Sequence, residues 1–335
     1  MSVKPGLGQV ITAMFFAAIS GSGTATVAAV GSILIPSMIQ QGYDAGYTSA
    51  LSAISGSLGT IIPPSITFLI YGMITGESIS DLFLAGIIPG FVFAASLCTS
   101  VFLKSRKHGW KSEGSRASLK EFLASLKDAF WGILSPVIVL GGIYTGFFTP
   151  TEAAAVAVIY SFIVGIFIYK ELDFKKMLET LSETAITTGI ILLIIMNAGV
   201  FAWLLTQQGI AAQLTEMALS LTTNKYVMLL IINVIFLIAG CLMDNTSAMY
   251  ILVPIIMPIA QALDINMIHL GVIIVVNLSI GQVTPPVGPN LYVAADIGRV
   301  KFENIISRMV PLLVMSLIAL VIITFVPWLS LALIK

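Results

Sequence analysis

The chain has 335 residues, 58% of them hydrophobic and 10% charged, with zero formal net charge and a mean hydropathy of +1.03. A soluble domain carries about 25% charged residues, so this composition excludes a water-soluble fold, and the even charge balance excludes a basic face for nucleic acid. The two histidines and two cysteines show neither metal-ligand spacing nor a disulfide framework, and Cys98 and Cys241 read as buried, inert thiols.

In chain order, residues 4–19 are apolar but reach only about 22 Å as a helix, short of a ~30 Å hydrocarbon core. A polar tip (residues 20–24) and a second apolar arm to about Gln40 follow, and the pattern predicts a re-entrant helical hairpin. Residues 48–71 are long enough to span, but 59–65 interrupt them, because Pro63 and Pro64 offer no N–H to the helix ladder. Residues 82–103 read as an ordinary span. The Lys- and Arg-rich stretch 104–127 marks the cytoplasmic side. Within it Leu119, Phe122, Leu123 and Leu126 fall at helical spacing, which predicts an amphipathic helix on the surface. Residues 131–148, 152–169 and 187–205 read as spans, with an interfacial stretch at 170–183. A second hairpin follows: arm 226–241, tip 243–247, arm 249–263. Residues 268–294 form a span broken at 281–289, and 305–331 cross last.

The stretch is doubled. SGSGTATVAAVGSILIPSM (20–38) and GTIIPPSITFLIYG (59–72) recur as LMDNTSAMYILVPIIMPIA (242–260) and GQVTPPVGPNLYVA (281–294). Thr24 pairs with Thr246 (246 − 24 = 222). Ile33 with Ile255, Pro36 with Pro258, Gly59 with Gly281, Pro63 with Pro285, Pro64 with Pro286, Gly76 with Gly298 and Pro89 with Pro311 keep that offset. Shared Gly and Pro punctuation in constant register is an internal duplication. Read with the loop charges, the first hairpin opens to the cytoplasm and the second outward. The repeats are then inverted, as in secondary transporters with midplane sites. The expected fold is an all-α integral membrane protein with two re-entrant hairpins and two broken transmembrane helices. Its expected parts are a first repeat (1–103), a cytoplasmic loop with an amphipathic helix (104–130) and a second, inverted repeat (131–335). The second repeat has three spans before its hairpin and the first has none, so roughly 70–90 residues are expected upstream of Met1.

These residues resemble the large membrane subunit of tripartite ATP-independent periplasmic (TRAP) transporters. The matching pieces are SGSGTATVAAVGSILIPSM, GTIIPPS, GFFTPTEAAAVAVIYSFIVG (146–165), MDNTSAMYILVPIIMPIA and GQVTPPVGPNLYVA. Together they cover essentially the whole chain; the region before the first hairpin is what departs. The resemblance implies an elevator-type ion-transporter fold in the bacterial inner membrane. It implies a small membrane subunit and a periplasmic substrate-binding protein as partners. It also implies import of an organic anion, a carboxylate or sialic acid, driven by Na+. Ser20, Gly59, Ile62 and Pro64 would line one sodium site, the last three through backbone carbonyls. Gly281, Thr284 and Pro286 would line a second.

The residue chemistry agrees with such sites. Sodium takes hard oxygens, and free carbonyls exist inside a membrane only where a helix is interrupted. The arms leaving the tips present helix N-termini, which favour an anion. The substrate carboxylate is therefore expected between the tips, with Ser22, Thr24, Asp244, Asn245, Thr246, Ser247 and Asn290 as candidate contacts. Plainer readings stand beside these. The tips are also small residues that let helices approach, and the Pro-Pro pairs are also kinks. Asp244, costly in an apolar hairpin, serves either function or as a helix cap. Glu152 reads as a cap, and Trp110, Trp131, Trp203 and Trp328 as interfacial anchors. A stand-alone sodium–dicarboxylate or oxyanion carrier of the same wider fold is the alternative. No Ser/His pair, H-E-x-x-H or G-x-x-x-x-G-K-[ST] motif falls within the spans, so neither protease nor ATPase chemistry is expected.

Overall fold

The computed structural model describes residues 5–108 and 118–334, and no strand occurs among them. The helices in chain order are α1 (Pro5–Ser20), α2 (Gly23–Gln40), α3 (Ala45–Gly56), α4 (Leu58–Ile61), α5 (Ile66–Thr75) and α6 (Ile79–His108). They continue with α7 (Leu119–Tyr144), α8 (Pro150–Ile163), a π-helical turn (Val164–Ile168), α9 (Phe174–Gln207) and α10 (Ile210–Leu221). The last are α11 (Lys225–Leu242), α12 (Asn245–Ala262), α13 (Met267–Gly281), α14 (Pro289–Gly298), α15 (Phe302–Phe325) and α16 (Trp328–Leu331). Eight described helices are long and apolar enough to cross a membrane, and the chain is an all-helical integral membrane protein. The hairpin arms α2, α11 and α12 are among the eight at 18 residues each, so length alone does not separate a crossing from a re-entrant arm.

Local chemistry sets most helix starts. Asp44 caps α3 through the Tyr47 N–H at 2.8 Å, Ser65 caps α5, Asn224 caps α11 and Asn266 caps α13. Thr149 and Glu152 form a reciprocal capping box at the start of α8, with Pro150 at its first position. That is the cap role read for Glu152 from the sequence. Thr149→Ala is expected to cost about 1 kcal/mol of stability, the usual value of an N-cap. Thermal unfolding of the variant checks it.

Three readings change. The surface helix and the span after it are one continuous helix, α7, because no Gly or Pro lies between 119 and 131 to stop it. Likewise 170–183 and 187–205 merge into α9, whose Phe174–Gln207 run is uninterrupted. Cys98 and Cys241 are free but half-buried rather than buried. A further helix, α10, follows Gly209 in its left-handed turn and lies between the segments read as spans. Trp131, Trp203 and Trp328 are exposed. Trp110 and the side chains of Leu119 and Phe122 lie outside the described residues.

The chain forms two compact units, residues 1–114 with 204–335, and residues 115–203. The repeats follow the duplication and the units follow packing, so the two divisions cut the chain differently. The second unit holds α7, α8, the π turn and most of α9. The first holds both hairpins and both broken helices. At its centre, α3 from Gly46 to Gly56 and α13 from His269 to Gly281 are buried on every face. A helix apolar all round belongs in such a position, yet both carry buried polar side chains: His269, Asn277 and Ser279 on α13, and Thr48, Ser49, Ser52 and Ser55 on α3. The α3–α4 segment and α5 bend by 40° at their break. The second arm of each hairpin packs on the other repeat's post-break helix, α2 on α14 and α12 on α5.

Candidate functional site

The first hairpin tip sits on the break between α4 and α5. Gly21 takes φ +63, in the left-handed region that favours glycine. The Ile66 N–H donates to the Gly21 carbonyl at 3.3 Å, and a Cβ on Gly21 would stand 2.8 Å from the Pro64 carbonyl oxygen. Gly59 abuts the Ser22 carbonyl and the Thr26 hydroxyl, the latter 2.5 Å from where a Cβ would lie. Ser20 Oγ is 2.7 Å from Thr26 Oγ1 and 3.1 Å from the Ser22 carbonyl, to which Thr26 Oγ1 donates at 2.8 Å. Ser20, Gly59 and Pro64 therefore converge on one tip, beside a pocket of about 150 Å³ that Ser20, Gly21, Pro64 and Ser65 help to line. Ile62 sits in the break with extended backbone (φ −80, ψ 128), so its carbonyl leaves the helical ladder.

The second hairpin meets its own break differently. Gly240 and Gly281 touch backbone to backbone: a Cβ on Gly281 would lie 2.5 Å from the Gly240 Cα. The Val287 N–H donates to the Cys241 carbonyl at 3.2 Å. Gly281, Thr284 and Pro286 share this short loop, where the Thr284 N–H donates to the Gly281 carbonyl at 2.9 Å and Thr284 Oγ1 donates to the Ile280 carbonyl at 2.8 Å. The Pro63-Pro64 and Pro285-Pro286 bonds are both cis.

The residues read as substrate contacts fall into two clusters. In the first, Ser22 Oγ lies 3.3 Å from Thr24 Oγ1. Gly23 brings the first turn of α2 against Gln282 Oε1 and against Asn290, whose Nδ2 is 3.1 Å from the Cβ position. Asn290 is fully buried and donates to the Ala53 carbonyl at 3.3 Å and to Ser57 Oγ at 3.4 Å. In the second cluster, Asp244 caps α12, accepting from the Ser247 N–H at 3.0 Å and the Ser247 hydroxyl at 2.6 Å. The cap reading of Asp244 therefore holds, and the residue lies exposed at the tip of the second hairpin. Asn245 is buried with both amide atoms unpartnered by protein, and Thr246 is half-buried. No hydrogen bond among the described residues joins the two clusters. The two tips also differ: α2 starts without a side-chain cap, whereas α12 has Asp244.

Sequence reading passes over four participants. Thr26 ties Ser20 to the Ser22 carbonyl. Gln282 closes on Gly23. The Thr60 and Ser279 hydroxyls meet at 2.5 Å and join the two broken helices directly.

Residues 2–329 match the family model described as the tripartite ATP-independent periplasmic transporter, DctM component. The chain belongs to this family. A DctM large permease protein of a C4-dicarboxylate TRAP transporter from Pseudomonas aeruginosa is 41% identical over 98% of this chain and 76% of its own length. An isethionate TRAP transporter permease protein, DctMQ, from Oleidesulfovibrio alaskensis is 42% identical over 96% of this chain and 51% of its own length. A sialic acid TRAP transporter large permease protein, SiaM, from Vibrio cholerae is 36% identical over 97% of this chain and 76% of its own length. The chain thus spans about half of the isethionate permease and about three quarters of the other two.

Proposed function

We propose that this chain is the large permease subunit of a sodium-coupled importer of an organic anion in the bacterial inner membrane. It works with a small membrane subunit and a periplasmic binding protein. The observation that carries this reading is that each hairpin packs on the break in its own repeat. Hydroxyls and out-of-ladder carbonyls are thereby gathered at two places in an apolar protein. Carbonyls free of a helix are what a hard cation takes. Sodium, moving as co-substrate, is held at the first break by Ser20 and the carbonyls of Gly59, Ile62 and Pro64, and at the second by Gly281, Thr284 and Pro286. The substrate's carboxylate binds between the tips, its charge favoured by the N-terminus of α2 with Ser22 and Thr24. Asn290 supports that turn from beneath, and Asp244, Asn245, Thr246 and Ser247 face the substrate from the second tip. The names of the relatives, covering a sulfonate, C4-dicarboxylates and a sialic acid, support a small organic anion as cargo.

The hairpins and broken helices lie in one compact unit, which supports their moving as one body, the elevator motion. The test is uptake of labelled succinate, isethionate and sialic acid into proteoliposomes holding both membrane subunits, with the binding protein added outside. Uptake of one of them that requires both an inward sodium gradient and the binding protein is the expected result. Uptake unchanged when choline replaces sodium would sink the coupling. Uptake without the binding protein would favour the stand-alone carrier.

A further inference from the structure

Several buried hydroxyls outside α3 bond back to their own helix. Ser279, Ser316 and Thr324 each donate to the carbonyl four residues back, at 2.6, 3.0 and 2.8 Å. On α3 this pattern fails. The hydroxyls of Thr48, Ser49, Ser52 and Ser55 are buried and have no hydrogen-bond partner in the protein. Thr48, Ser52 and Ser55 recur at helical spacing on one face, with Ser49 beside them. Ser52 Oγ lies 2.8 Å from the Cβ position of Gly31 on α2, and Ser49 Oγ closes on Gly298 of α14. Both glycines leave the hydroxyl room that a side chain would take. An unpaired buried hydroxyl is costly, and four on one helix are not explained by packing.

The row has two ends. One is the first break, where Ser57 and Asn290 meet and the Asn290 Oδ1 atom is itself buried and unpartnered. The other is the start of α3, where Asp44 pairs with Arg308 at 3.3 Å and both side chains are about half exposed. From Asp44 to Ser57 the helix rises about 20 Å. α1 also packs on α3 and carries Gln9, which has no exposed surface and no partner for either amide atom.

We infer that the Thr48–Ser49–Ser52–Ser55 face of α3 is the release path for sodium between the first break and the Asp44 end of the helix. The inference rests on the sodium reading of that break. Oxygen atoms free of backbone bonds can replace part of a cation's hydration shell, one after another, through an otherwise apolar interior. Tightly held oxygens would trap the ion; single hydroxyls spaced a turn apart pass it on. In this packed state Gly31 of α2 and Gly298 of α14 cover the row.

The experiment compares wild type with the Ser52→Ala, Ser55→Ala double variant, each in proteoliposomes with the small subunit and binding protein, and follows entry of radioactive sodium. Removing an unsatisfied buried hydroxyl raises or preserves thermal stability. Sodium entry in the variant is expected to fall about five-fold or more, because two oxygens leave an apolar stretch. In parallel, a Ser52→Cys variant with Cys98 and Cys241 replaced by serine is exposed to an impermeant thiol reagent from each side. Reaction from the Asp44 side, slowed by sodium, is expected. A double variant that moves sodium at the wild-type rate, or a Ser52→Cys thiol that reacts from neither side, overturns the path. A wild-type protein that moves no sodium overturns the coupling reading first, and the path with it.

Discussion

Gly281→Ala is expected to abolish uptake in the reconstituted transporter and to lower the melting temperature of the purified protein. The new Cβ would stand 2.5 Å from the Gly240 Cα and 2.7 Å from its carbonyl oxygen. These are backbone atoms, so no side-chain rotation relieves the contact and hairpin two must back away from the second break. Overpacking costs about 1–3 kcal/mol, and more where backbone has to move. The upper end applies here. A retreat on the order of 1 Å also exceeds the spread of about 0.3 Å that calcium, a comparable hard cation, tolerates in its oxygen distances. Gly8→Ala is the control, because nothing lies within 4 Å of its Cβ position and helical Gly to Ala stabilises by about 0.5–1 kcal/mol. Wild-type uptake from Gly281→Ala would mean that the Gly240–Gly281 contact does not build the second site.

Asp244→Ala should also abolish uptake, with a smaller loss of stability. The carboxylate holds the Ser247 N–H and hydroxyl, and losing such a cap costs about 1 kcal/mol. Asn caps a helix as well as Asp does, so Asp244→Asn separates the two roles. Its melting temperature is expected near wild type, and its uptake at least about ten-fold down, as an acid kept at such cost in an apolar hairpin implies. Full uptake from Asp244→Asn would leave Asp244 a helix cap and nothing more.

Much of this architecture is legible in the residues alone. Hairpin tips and breaks are marked by residues with hard backbone consequences: Gly21 at a left-handed turn, and Pro63, Pro64, Pro285 and Pro286 with no N–H to give. The 222-residue register (281 − 59 = 222) then ties the marks together. What stays hidden is which faces meet. Periodicity locates Thr60 and Ser279 on their helices but does not say that their hydroxyls touch. Thr26 looks like one more small residue in an SGSGTAT run, yet it joins Ser20 to the Ser22 carbonyl. The merging of polar and apolar stretches into α7 and α9 escapes the sequence for another reason. A change in composition suggests a boundary, but a helix ends only where its backbone is stopped, and nothing from 119 to 131 or from 174 to 188 stops it.

The crossed packing of α2 on α14 and α12 on α5 has a thermodynamic consequence. Under the sodium reading proposed above, an ion that fixes the first break would stiffen the hairpin leaning on it, whose second arm bears on the half-helix leaving the other break. The two breaks then share one free-energy surface. Linkage is reciprocal: the factor by which occupancy of the first tightens the second equals the factor by which the second tightens the first. Two halves standing side by side would titrate as independent sites. Two halves that clasp each other would fill along a single steep curve.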